Sequence, residues 1–230
     1  MSYTEVIKNL DADSQPDMAQ KRGLIVCNIG AGKGKTTASM GVAVRASGAG
    51  MDVFILQFVK AAPRSTEGSP LQDGNPLDRR DEGEWPVSNE IKFFQEVDSR
   101  FRGNDKWGRL GKIDTEICGA GFVGILGDQK EKDQHIRQAL KGLERAHQIL
   151  VSGKYHVVIF DELLSAVELN LLTEDDVVDL LKKKPEQLHV VITGHNKYQK
   201  VLKLCDTVTE MKMLKHAYYE GVLAQEGIDY

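Results

Sequence analysis

The chain has 230 residues, of which 41% are hydrophobic and 28% charged, and its formal net charge is −4. That balance suits one globular domain of moderate size. It argues against a disordered chain and against a protein that coats nucleic acid, whose phosphates favour basic faces. Cys27, Cys118 and Cys205 stand far apart, an odd count that argues against a disulfide framework or a zinc site.

The first residues, MSYTEVIKNLDADSQPD, lack the apolar core of a signal peptide. No apolar run reaches the about 18 residues of a membrane span. A cytoplasmic protein with no membrane and no nucleic-acid partner is expected.

Residues 1–21 are polar and read as an N-terminal arm outside the core, leaving 22–230 as one domain. Leu24 to Cys27 is a short apolar run that suits a buried strand. Residues 37–48 are small and apolar on nearly every face, as in a helix packed deep against a sheet, and Gly48 and Gly50 end it. Asp52 to Val59 (DVFILQFV) is a second strand. A helix between two strands implies a crossover and a parallel sheet.

Residues 61–90 are rich in Pro, Gly, Asp and Arg and read as loop. Ile91 to Phe94 reads as a short strand, and 98–128 as irregular again. The whole of about 61–118 is expected to be an irregular insertion. Residues 129–152 carry Ile136, Leu140, Leu143 and Leu150 at helical spacing. Tyr155 to Phe160 is a strand ending in Asp161 and Glu162. A helix over 174–184, a strand over Leu188–Thr193, a helix over Asn196–Leu204 and a last strand over Thr207–Leu214 complete the chain. The alternation predicts an α/β fold: one doubly wound, mostly parallel sheet with helices on both faces.

Chemistry concentrates where the first strand meets the first helix. Gly30-Ala31-Gly32-Lys33-Gly34-Lys35-Thr36-Thr37 resembles the GxxxxGK[ST] phosphate loop, one residue shorter between its outer glycines. Glycines let the backbone turn its N–H groups inward as an anion nest, and the helix N-terminus adds about half a positive charge. Lys35 supplies an ammonium to the phosphates of ATP, and the Thr36 hydroxyl suits Mg2+ (or Mn2+). Asp161 and Glu162 close a strand whose carboxyl end lies beside that loop, where a carboxylate can hold the same cation. Spacing does not tell which acid touches the metal.

These segments resemble the P-loop ATP:corrinoid adenosyltransferases. The likeness runs over roughly residues 20–60 and 119–230: RGLIVCNIGAGKGKTT, VRASGAGMDVFILQFVK, VVIFDEL, VVITG and CDTVTEMKMLKHAYYEGVLAQEGIDY. The resemblance implies a RecA-like fold and one reaction. A corrinoid reduced to cobalt(I), such as cob(I)alamin, attacks the 5′ carbon of ATP and triphosphate leaves, in synthesis or salvage of adenosylcobalamin. It implies catalytic roles for Lys35, Thr36 and Glu162, and site roles for Lys33, Lys60 and Arg45. It sets Phe122 against the corrin's lower face and His195 in a Thr-Gly-Arg motif that here reads Thr193-Gly194-His195. The Trp that follows Phe122 in the family motif is Gly124 here, and Ala31 stands where the family commonly has Asn. The resemblance further implies a homodimer and a reductase or flavodoxin-like electron donor. Two other readings share the same residues: another P-loop ATPase or kinase-like enzyme, and a non-catalytic, nucleotide-gated corrinoid-binding protein.

Overall fold

The computed structural model describes residues 22–58, 93–94, 110–118, 132–222, 225 and 227–228. Within them runs one sheet. Its strands are β1 (Ile25–Ile29), β2 (Val53–Gln57), β3 (Ile113–Ile117), β4 (Val157–Asp161), β5 (His189–Thr193) and β6 (Thr207–Glu210). They lie in the order β3-β2-β4-β5-β1-β6, and every pairing is parallel. The helices are α1 (Lys35–Gly48), α2 (Lys132–Val151), α3 (Leu163–Glu168), α4 (Glu174–Lys182) and α5 (Gln199–Leu202).

Alternation along the strands builds two cores. Val53 and Ile55 of β2, Val157 and Ile159 of β4, and Val191 of β5 face α1, where Met40, Ala43 and Ala46 meet them. The intervening residues Phe54, Leu56, Val158, Phe160, Val190 and Ile192 point the other way and are covered by α2, α3 and α4. A strand buried on both faces reads as a continuous apolar run, which is why β2, β4 and β5 are legible. The small residues of α1 let it lie close to the sheet as it crosses from β1 over β5 and β4 toward β2. That crossover leaves the carboxyl ends of β1, β5 and β4 adjacent.

Several elements depart from the sequence reading. Ile113–Ile117, read as part of an irregular insertion, is the edge strand β3, paired with β2 from Val53↔Ile113 to Gln57↔Ile117. Its half-buried IDTEI pattern belongs to a sheet edge, where full apolarity is not needed. Phe93 and Phe94 have helical backbone where a strand was expected. The helix expected over Asn196–Leu204 shrinks to α5, and the last strand stops at Glu210. The six-residue α3 follows Glu162 immediately; it is too short to show a helical period. The arm at 1–21 and the loop at 61–90 lie outside the described residues.

α4 begins on a reciprocal cap. Thr173 Oγ1 accepts from the Asp176 amide, and the Asp176 carboxylate accepts from the Thr173 amide. At the amino ends of the central strands, two imidazoles do similar work. His156 Nδ1 accepts the amide of Asp52 at 3.0 Å, and His189 Nδ1 accepts that of Leu24 at 3.2 Å. An Nδ1 that accepts is unprotonated. Burial, then the Lys184 charge, holds His189 below its ordinary value of 6.5. His147 is lowered too, by burial and then by Lys183.

The native state therefore binds fewer protons than the unfolded chain just below pH 6.5, and stability falls as pH drops through that value. The Asp206 carboxyl, lowered by Arg22, gives up its contribution only below about pH 4. The urea midpoint is expected to fall between pH 7.5 and 5.5, and to fall less in His189→Gln. A midpoint independent of pH across that window would contradict the assignment.

Candidate functional site

β1 ends at Ile29 and the chain turns at once into the glycine loop. Gly30 and Gly34 have φ of +110° and +102°, a left-handed backbone that a Cβ makes costly. Gly34 caps α1 without a side chain, so the amides of the first helical turn keep their donors for an anion. The loop is braced from two sides. The Gly30 amide donates to the carbonyl of His195 at 3.0 Å, and that of Gly32 to the carbonyl of Met211 at 2.8 Å. Met211, just past β6, in turn donates its amide to Ile29 at 2.8 Å. A Cβ on Gly32 would stand 2.7 Å from the Met211 oxygen, and one on Gly30 at 2.4 Å. Both glycines are therefore required by the close approach of the tail.

Lys35 is 7% exposed, and its ammonium donates to the Gly32 carbonyl at 2.9 Å, which places a positive charge inside the loop. Asn28 and Ser39 fasten α1 to β1 behind it: Asn28 Nδ2 donates to Ser39 Oγ, which donates to the Lys35 carbonyl.

Asp161 is the centre of the arrangement and is fully buried. Its Oδ1 accepts from Thr193 Oγ1 at 2.8 Å and from Thr36 Oγ1 at 3.0 Å. Its Oδ2 accepts from Gln57 Nε2 at 3.1 Å and lies 3.2 Å from Thr36 Oγ1. Three donors from β5, α1 and β2 thus converge on one carboxylate. Glu162, next in the chain, has φ +59°, a conformation that costs a non-glycine residue of order 1 kcal/mol or more. It is held there by its amide, which donates to Thr193 Oγ1 at 2.7 Å. Its carboxylate accepts the Ser165 hydroxyl.

Among the sequence-derived site residues, Gly30, Gly32, Gly34, Lys35, Thr36, Asp161 and Glu162 gather at the carboxyl ends of β1 and β4. Ala31, Lys33 and Thr37 lie on the exposed rim of the loop and helix start. His195 reaches the loop through its carbonyl, while its imidazole turns to α3, 3.4 Å from Glu168 Oε2. Arg45 is exposed in the last turn of α1, about 15 Å along the helix axis from Lys35. Lys60 and Phe122 lie outside the described residues. Sequence reasoning missed Gln57, Ser165 and Met211, and did not weigh Thr193 as a partner of Asp161. Gln57 carried a signal, as the one polar residue inside the apolar run VFILQFV.

The donors near Thr36 are all oxygens, the set that a hard cation such as Mg2+ takes. Among the described residues, no group of three or more His, Cys, Asp or Glu side chains could hold a metal ion.

A glycine loop between a parallel strand and a helix, backed by a buried acid on the next strand but one, defines a P-loop nucleotide-binding α/β protein. Comparison with known proteins narrows the class. The profile of the ATP:corrinoid adenosyltransferase BtuR/CobO/CobP family matches residues 21–230. The Escherichia coli K12 corrinoid adenosyltransferase is 30% identical over 219 residues, 95% of this chain and 91% of the relative. That of Pseudomonas aeruginosa is 27% identical, over 91% and 85% of the two chains. The corrinoid adenosyltransferase CobA of Salmonella typhimurium is 28% identical, over 92% and 87%. The chain belongs to the ATP:corrinoid adenosyltransferase family.

Removing the Asp161 acceptor strands the buried Thr193 and Gln57 donors and the half-buried Thr36 hydroxyl. Asp161→Ala is expected to lower unfolding free energy by about 3 kcal/mol, read from urea titration. Gly32→Ala is expected to leave the sheet folded and to weaken ATP binding at least ~10-fold, because the loop must move away from Met211. Unchanged ATP affinity in Gly32→Ala would contradict the brace.

Proposed function

We propose that the chain transfers the 5′-deoxyadenosyl group of ATP to the cobalt of a reduced corrinoid, with release of triphosphate. The observation that carries this reading is the pairing of Thr36 with Asp161 behind a shortened glycine loop, in a chain whose family match spans residues 21–230. Cobalt(I) is itself the nucleophile. The C5′–O bond breaks as the Co–C bond forms, and the triphosphate takes the bonding pair. No protein base is needed, so the work left to the chain is binding, alignment and charge stabilisation.

In this reading the loop amides and Lys35 bind the triphosphate, and Lys33 reaches it from the rim. Thr36 and Glu162 hold a Mg2+ or Mn2+ ion through its coordination sphere. Asp161 holds Thr36 in place, accepting its hydroxyl together with that of Thr193 and the Gln57 amide. The cation, when bound, would neutralise charge on the departing triphosphate. Phe122 would pack on the corrin and Lys60 would line the nucleotide site, as the family resemblance implies. Arg45 sits far from the loop along α1, and we assign it no contact with the nucleotide. A homodimer in the cytoplasm, supplied with electrons by a reductase or a flavodoxin-like donor, completes the proposal. No helix among the described residues is long and apolar enough to cross a membrane.

The test is a product assay without oxygen, using Mg2+-ATP and chemically reduced cob(I)alamin. A light-sensitive cobalt–carbon product and free triphosphate are expected, with Lys35→Ala slower by at least ~100-fold. ADP in place of triphosphate would identify an ATPase or kinase-like enzyme. Stoichiometric corrinoid binding without turnover would identify a carrier.

A further inference from the structure

Beside the phosphate loop lies a second polar cluster that binding of triphosphate does not use. Glu162 caps α3, Ser165 lies in its first turn and Glu168 is its last residue. The segment after β5 passes directly over that helix. It can do so because residue 194 is glycine: a Cβ there would lie 2.4 Å from Leu164 Cβ and 3.0 Å from the Ser165 amide. His195 follows, and its Nδ1 stands 3.4 Å from Glu168 Oε2 and 3.5 Å from Ser165 Oγ. The Ser165 hydroxyl donates onward to Glu162 Oε2.

Serine, histidine and glutamate are the components of a hydrolase triad, but this is not one. In a triad the serine and the acid bind opposite nitrogens of the ring, so that a proton can cross it. Here both face Nδ1, and Ser165 is 5% exposed with its proton committed to a carboxylate. The geometry suits orientation. Nδ1 faces both the Glu168 carboxylate and the Ser165 oxygen, and a proton on Nδ1 would fix the rotor whose hydrogen points at Glu162.

We propose that Ser165, His195 and Glu168 form a positioning relay that locks the Glu162 carboxylate through Oε2 and leaves Oε1 to the hydrated cation accompanying the nucleotide. The proposal rests on the reading of Glu162 as a cation-facing residue. Glu162 needs such a lock, because its left-handed backbone leaves it without the support of a regular helical or strand position. The same His195 binds the Gly30 amide through its carbonyl, so one residue ties the phosphate loop to the orientation of Glu162. Groups that orient ligands from behind commonly matter 10–100-fold for metal affinity.

The test uses the full chain and Mn2+ as the probe. Mn2+ affinity is read by electron paramagnetic resonance in the presence of a non-hydrolysable ATP analogue. His195→Ala is expected to weaken Mn2+ binding ~5–10-fold. His195→Asn, whose amide nitrogen can stand in for Nδ1–H, is expected to recover it to within about 2-fold of the parent. Ser165→Ala should match His195→Ala. Should that buried change disturb folding, the His195 pair decides, because that side chain is 49% exposed. Parental Mn2+ affinity in His195→Ala, or equal weakening by Ala and Asn, would overturn the relay. Failure of the parent protein to form adenosylated corrinoid would instead overturn the functional reading, while the Mn2+ series would still report on the relay.

Discussion

A fully buried carboxylate with donors from three secondary-structure elements is the constraint on which this site depends. An unpaired charge at the position of Asp161 would cost several kcal/mol, so the surrounding chain must satisfy it. It does so with Thr193 from β5, Gln57 from β2 and Thr36 from α1. Strand order makes this feasible. β5 lies between β4 and β1, so Asp161 reaches past Thr193 to the helix that follows β1. The same contact that removes an electrostatic penalty from the fold also fixes the Thr36 hydroxyl, which the proposed reading sets at the phosphates. Stability and function are therefore coupled at one side chain, and the site is preorganised by packing before any ligand arrives.

The glycine loop shows the complementary principle. Its shape is set partly from within, by the positive φ of Gly30 and Gly34, and partly from outside, by the main chain at Met211 and His195. Two glycines face a backbone oxygen at distances that exclude a Cβ, so the tail beyond β6 is a wall of the phosphate site. That wall gives a physical reason for the family likeness to extend through the CDTVTEMKM segment, which carries none of the phosphate-binding residues itself.

Much of this was legible in the sequence. The runs VFILQ and VVIFD, and all of HVVIT but His189, are buried on both faces and read as central strands, and the glycine loop announced the first crossover. β3 was not legible, because an edge strand needs only half an apolar face and IDTEI carries more polar than apolar positions. At the site, residues with a known motif spacing were found: Gly30, Lys35, Thr36, Asp161 and Glu162. Those brought in by tertiary register were not. Gln57 reaches Asp161 because β2 and β4 pair residue for residue at Gln57↔Asp161. Met211 reaches Gly32 because β6 lies beside β1. His195, which the family resemblance sets in the site, meets the loop through its carbonyl and turns its ring to Glu168.

The central claim is that Asp161 acts on the nucleotide through Thr36. A double-mutant cycle on ATP affinity tests it most directly, with Thr36→Val, Asp161→Asn and the double variant measured by calorimetry in Mg2+. If Asp161 works by holding the Thr36 hydroxyl, the double variant should bind about as weakly as Thr36→Val alone, giving a coupling energy above ~1 kcal/mol. If the two losses simply add, Asp161 acts on the nucleotide independently of Thr36, and the central claim is wrong.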